Sequence, residues 1–148
     1  MSDTIDKSVL IAAPIERVWD ALTDHRQFGA WFGVALDGPF RVGEEARGRM
    51  TVPDYDHLVW RATTVAIDPP HHFAFTWHPY AIDPDRDYAA EAPTLVTFRL
   101  TPEDGATRVT VVESGFDRVP AARRALALRM NARGWEIQLA NLTAHVAR

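Results

Sequence analysis

Hydrophobic and polar positions along this chain follow two rhythms. Residues 4–12 alternate as a strand does, and Ala13-Pro14 then puts a proline in the first turn of a helix, where its missing N–H costs least. Ile15, Val18, Trp19 and Leu22 make the apolar stripe of that helix, with Glu16 and Arg17 turned away. A second short helix is predicted over 26–32, carrying Phe28, Trp31 and Phe32, and Gly33 can end it.

From there the period changes to two. Ala46, Gly48, Met50 and Val52 alternate with Glu45, Arg47, Arg49 and Thr51, and a further strand over 58–67 stops at Asp68-Pro69-Pro70. Phe73, Phe75 and Trp77 alternate next, and residues 79–93, polar and holding three prolines, read as a long excursion between strands. Val96, Phe98 and Leu100 lead into a Pro102-Glu103-Asp104-Gly105 turn, and Val109, Val111 and Glu113 share one face of the partner strand. After Pro120 the rhythm is helical almost to the end, with Leu128, Trp135, Leu139, Leu142 and Val146 in one stripe and Leu126, Met130 and Ile137 beside it. Hairpin-linked strands favour an antiparallel sheet, and the long helix must bury its stripe against that sheet, which predicts an α+β fold.

The bulk numbers fit one ordinary globular domain over residues 1–148: 47% hydrophobic, 24% charged, net charge −4. The negative balance, with arginines scattered among carboxylates, argues against nucleic acid; Arg123, Arg124, Arg129 and Arg133 read as a solvated helix face. No cysteine is present, which excludes disulfides, thiolate metal sites and thiol nucleophiles. No apolar run reaches the length of a membrane span and no secretory pattern opens the chain, so the cytoplasm is the expected compartment. No cofactor is implied, and a homodimer is left open.

Several motifs in order resemble one family. Ala12-Ala13-Pro14-Ile15-Glu16-Arg17-Val18-Trp19, Trp31-Phe32-Gly33, Ile67-Asp68-Pro69-Pro70 and Phe75-Thr76-Trp77 come first. Thr107-Arg108-Val109-Thr110, Glu113-Ser114-Gly115-Phe116, and Gly134-Trp135 with Leu139 and Leu142 follow. Together they resemble the START-like (SRPBCC) superfamily, in the branch named after the C-terminal domain of the activator of the heat-shock-chaperone ATPase. The resemblance implies a helix-grip fold: a curved antiparallel sheet around a long C-terminal helix, two short helices after the first strand, and a cavity between sheet and helix. It also implies a range of roles, from carriers of small apolar molecules through aromatase/cyclase enzymes to co-chaperone domains.

Glu113 is the most informative position. If Val109 and Val111 face inward then so does Glu113, and a carboxylate among apolar walls favours its neutral form unless a cation pairs with it. It is the candidate polar anchor, or general acid or base. Arg61 shares a face with Val59, Thr63, Val65 and Ile67 in an unbulged strand, where it would balance Glu113 or meet an anionic head group; a bulge would turn Arg61 outward and Trp60 inward. Asn131 and Gln138 edge onto the inner stripe of the long helix around Trp135. Gly134 inside that helix suggests a close approach to sheet or ligand. Trp31, Phe32, Met50, Phe75, Trp77, Phe98 and Trp135 are the candidate ligand-binding wall, joined by Arg61, Glu113 and Asn131.

Other chemistry is poorly supplied. His57, His71, His72 and His78 lack ligand spacing, since adjacent strand residues point to opposite faces, and no metal site is expected. Asp83, Asp85 and Asp87 imitate the start of a calcium loop, but Tyr88 and Thr94 stand where it needs Gly and Glu. No serine lies in a nucleophile elbow, and the sole lysine, Lys7, sits on the first strand. The expected function is therefore the binding of a small hydrophobic or aromatic molecule. The alternatives are a cyclase-, aromatase- or hydrolase-like enzyme using Glu113 with Arg61 or Asn131, and a co-chaperone-like interaction protein. Residues 28–37 and 79–93 are expected to gate the pocket, with Trp31 and Phe32 above it and Gly29, Gly33 and Gly38 supplying freedom.

Overall fold

The computed structural model describes residues 3–81 and 86–148. Strand β1 (Ile5–Ile11) leads into helices α1 (Ile15–Thr23) and α2 (His25–Phe32), followed by strands β2 (Val34–Leu36), β3 (Glu45–Met50), β4 (Val59–Asp68), β5 (His72–Trp77), β6 (Thr94–Glu103) and β7 (Ala106–Ser114). The long helix α3 (Ala121–Val146) ends the fold. The strands form one curved antiparallel sheet in the order β1-β7-β6-β5-β4-β3-β2, and α3 packs against β1, α1 and α2: the helix-grip arrangement. The short strand β2, which the sequence pattern does not reveal, pairs with β3 and forms one sheet edge.

Local chemistry explains the turns. Asp24 separates α1 from α2 and caps the second helix, its carboxylate accepting the Arg26 N–H at 3.0 Å. Gly33 closes α2 at φ 94°, a left-handed conformation that glycine adopts without steric cost. Gly29 answers a different need: a Cβ there would lie 2.2 Å from the Val34 carbonyl oxygen, so α2 can lie against β2 only with glycine at that place. The freedom expected of Gly29 is replaced by tight packing. Gly134 corrects another expectation, because a Cβ on it would meet nothing within 4 Å.

The interior between sheet and α3 is filled by rings. Phe28, Phe73, Phe75 and Phe98 are fully buried, and Trp135 of α3 meets Phe98 edge-on at 5.5 Å. Phe40, from the β2–β3 connection, wedges between Phe28 at 5.2 Å and Phe73 at 5.0 Å. On α3 the buried stripe is Ala127, Trp135, Leu139, Leu142 and Val146, whereas Leu126 and Ile137 lie exposed on the far side instead of beside it. Contacts of this kind add to the burial of aromatic area, which dominates core energetics.

In β4 the inward residues are Trp60, Ala62 and Thr64, while Val59, Arg61 and Val65 are exposed. The cause is a register shift against β5 between Thr64 and Ala66, beyond which Ile67 packs on the core. Counting back from Ile67 at period two therefore puts Arg61 on the wrong face. Arg61 points outward and cannot balance Glu113.

Candidate functional site

Glu113 enters the interior because β7 alternates without interruption: Val109, Val111 and Glu113 are each 0% exposed. The residue is held between Ile5 of β1 and Val96 of β6. Four neutral groups donate to its carboxylate. Trp77 Nε1 and Thr94 Oγ1 approach Oε2 at 2.7 and 2.6 Å, Trp135 Nε1 approaches Oε1 at 2.9 Å, and Asn131 Nδ2 spans both oxygens at 2.9 and 3.2 Å. No cation pairs with it among the described residues. Indole N–H groups only donate, so the site is built for an oxygen that only accepts. Hydrogen bonds to an ionised acceptor are about twice as strong as neutral ones, which offsets the lost hydration of a buried charge.

The arrangement fastens β6, β7, the end of β5 and the middle of α3 to one point. It also fixes a tryptophan pair, for Trp77 and Trp135 stack at 5.6 Å and 29° above the carboxylate they share. Thr94 is the member that sequence reasoning missed. It lies directly opposite Trp77 in the β5–β6 ladder, a relation that only the register of that pairing reveals.

A cleft lies beside this cluster. The β4–β5 ladder ends at the Thr63–Thr76 pair, so residues 59–62 stay bonded to β3 but have no β5 partner. The gap opens into a cleft of about 660 Å³ that reaches both faces of the sheet. Phe32, Met50, Trp60 and Trp77 form its inner wall; Val59, Arg61 and Thr63 its outer one; Tyr80 and Tyr88 come from the excursion before β6. Gln138 of α3 borders the inner wall and donates to the Phe32 carbonyl oxygen at 2.9 Å.

Of the predicted wall, Phe32, Met50, Arg61 and Trp77 therefore border the cleft, Arg61 from outside. Phe75, Phe98 and Trp135 belong to the packed rings behind it, and Asn131 and Glu113 to the carboxylate cluster. Trp31 is turned toward α1, its indole N–H donating to the Ala21 carbonyl oxygen at 2.8 Å, and does not reach the cleft. Trp60 takes the inward place that Arg61 vacates. Its indole nitrogen is buried and has no hydrogen-bond partner.

The described part of the 79–93 excursion is strapped to α3. Arg123 donates to Glu91 Oε1 through Nε at 2.9 Å and Nη2 at 2.7 Å, and to the Pro79 carbonyl oxygen at 2.9 Å, while its guanidinium lies 4.8 Å from the Tyr88 ring centre. Arg86 adds a 2.6 Å bond to Glu91. Burial pushes the Glu91 carboxyl upward, but the two arginines outweigh it and hold it below the usual carboxylate range.

Three of the four histidines singled out above are engaged separately, His71 with the Leu100 carbonyl, His72 with Asp68 and His78 with the Glu91 carbonyl, while His57 borders the cleft. Among the described residues no three potential ligands stand close enough to hold a metal. Asp83 and Asp85 lie outside the described residues, as does the centre of the expected gate; Asp87 caps a short turn by accepting the Ala89 N–H at 2.9 Å. No helix among the described residues is long and apolar enough to cross a membrane.

The same architecture occurs in solved structures. Protein MLL2253 from Mesorhizobium loti is 27% identical, with a TM-score of 0.76 over 98% of this chain and 97% of its own. The protein encoded by BPP1335 of Bordetella parapertussis is 26% identical, with a TM-score of 0.70 over 99% of this chain and 76% of its own. DynU16, a protein in the dynemicin biosynthetic locus, is 24% identical at a TM-score of 0.76; the match covers 99% of this chain and 48% of DynU16, so this chain spans about half its length. No curated protein matches the sequence. The family described as Activator of Hsp90 ATPase homolog 1-like protein matches residues 12–147, from the end of β1 to the end of α3. A match over nearly the whole fold, with the motifs and the helix-grip topology in agreement, shows that the chain belongs to that family of START-like proteins.

Proposed function

We propose that the protein binds a small hydrophobic or aromatic molecule, and that the molecule lies in the cleft at the splayed ends of β4 and β5. The observation that carries this reading is the aromatic inner wall. Phe32, Trp60 and Trp77 stand 5.6–6.1 Å apart, centre to centre, and face a cleft of about 660 Å³. Small-molecule sites usually fall in a range of about 300–1,000 Å³ and combine apolar walls with a few polar groups. The deeper space between the sheet and α3 is occupied by Phe75, Phe98 and Trp135, so the ligand rests on this ring cluster instead of entering it.

Two cleft tryptophans supply a direct readout. Titration with 2-naphthol, a neutral planar probe, should change tryptophan emission saturably. Trp60→Ala should weaken that binding at least tenfold while far-UV circular dichroism stays as in the wild type. No saturable change up to the solubility of the probe, together with no apolar compound carried through purification by native mass spectrometry, would refute the reading. Unaltered affinity in Trp60→Ala would place the binding elsewhere.

A further inference from the structure

Charge selectivity in the cleft is an inference that rests on the binding function proposed above. Its polar lining is unequally engaged. Glu45 pairs with Arg47 at 3.4 Å, Asp87 accepts the Ala89 N–H, and Arg86 is held by Glu91. Arg61 has neither an ion pair nor a hydrogen bond to any described residue, and it borders the cleft. Two charges of the lining thus lack a counter-charge among the described residues, Asp87 in the excursion and Arg61 on β4, and Arg61 is the one on the strand edge that the β5 ladder leaves open.

Two further features leave polar groups without partners nearby. Met50 N–H bonds to the Leu58 carbonyl and Thr64 N–H to the Glu44 carbonyl, so the even-numbered residues of this stretch turn their backbone groups toward β3. Val59 and Arg61 turn theirs the other way, to the side where the ladder to β5 has ended. The buried Trp60 indole N–H on the inner wall has no acceptor either. Around one opening stand an unpaired guanidinium and strand N–H and C=O groups without a ladder partner, next to three aromatic faces.

We infer that the ligand is a planar aromatic acid, its rings against Trp60 and Trp77 and its anionic group at Arg61. A guanidinium forms a two-pronged pair with a carboxylate, which a neutral isostere cannot reproduce.

The test compares 2-naphthoate with its neutral isostere 2-naphthamide on the intact protein at neutral pH and low salt, followed by tryptophan emission. Naphthoate should bind at least fivefold more tightly. Arg61→Gln should remove that advantage, leave naphthamide affinity within twofold, and leave circular dichroism unchanged. Equal binding of acid and amide in the wild type would overturn the charge selectivity while leaving the aromatic cleft standing. So would full naphthoate affinity in Arg61→Gln. If neither probe binds, the selectivity falls, and the binding function falls with it when native mass spectrometry also finds no apolar compound carried through purification.

Discussion

Replacing Glu113 by Gln tests the central claim about the interior, because it alters charge and donor pattern while keeping size. An amide offers one acceptor oxygen and one NH₂. If the NH₂ replaces Oε2, the Trp77 N–H faces another donor; if it replaces Oε1, the Trp135 N–H does. Thr94 and Asn131 can rotate or flip to accept, but an indole cannot. One buried N–H is thus orphaned in either orientation, at about 1–3 kcal/mol, and the surviving bonds lose their charge assistance, roughly half their strength. Relief from burying a charge works in the opposite direction. The net expectation is a loss of about 2–4 kcal/mol. With a urea slope of about 2 kcal/mol per molar, the midpoint should fall by roughly 1–2 M at unchanged slope. Thr94→Val is the graded control, expected to cost only about 1 kcal/mol because Trp77 and Asn131 still serve Oε2. A Glu113→Gln midpoint equal to or above that of the wild type would show that the carboxylate is a net burden and not the fastening described.

Other substitutions probe the fold from different sides. Gly134→Ala should raise stability by about 0.5–1 kcal/mol in thermal or urea unfolding, since the added Cβ meets nothing and a helix interior favours alanine; a loss would reveal an unseen close contact. Gly29→Ala should cost more than about 2 kcal/mol by the same measurement, because the Val34 carbonyl blocks the Cβ. The Thr64 hydroxyl is buried without a partner, so Thr64→Val should stabilise by about 1 kcal/mol, and a destabilised variant would argue for a water or ligand on that oxygen. Glu91, with its folded pKa lowered, contributes stability that is present above the ordinary carboxylate range and is lost as pH falls through the folded value. The gap in melting temperature between wild type and Glu91→Gln should accordingly shrink from neutral pH toward about pH 3, and a gap constant across that range would contradict the assignment.

Much of the architecture was legible in the alternation itself. The proline after Ala13, the inward run Val109-Val111-Glu113 and the stripe through Trp135, Leu139 and Leu142 place β1, β7 and α3 where the structure has them. Period alone failed where geometry is not periodic. The register shift at Thr64 inverts everything before it in β4, and β2, with three residues, is too short to show a rhythm. The site was read less well than the fold. Glu113, Asn131, Trp77 and Trp135 were all singled out, yet as parts of a cavity wall, because sequence shows that side chains converge without showing whether space remains between them. The cleft arises instead from where a ladder stops, and the end of a strand pairing leaves no mark on composition.

The irregularity in β4 also sets how this gene can change. A substitution at Val65 alters one exposed side chain and leaves the strand's faces as they are. Deleting that residue would set Thr64 and Ala66 consecutively against Phe75 and Ala74, so the β5 ladder becomes regular and Trp60, Ala62, Thr64 and Ile67 keep their inward faces. Deleting Thr63 instead rotates the residues before it by half a turn, which brings the Arg61 charge among the phenylalanines and turns the Trp60 ring into solvent. Length variation is therefore tolerated at position 65 and costly among the paired residues beside it, so descendants of this chain should be able to lose a residue at 65 yet keep the spacing from Trp60 to Thr64.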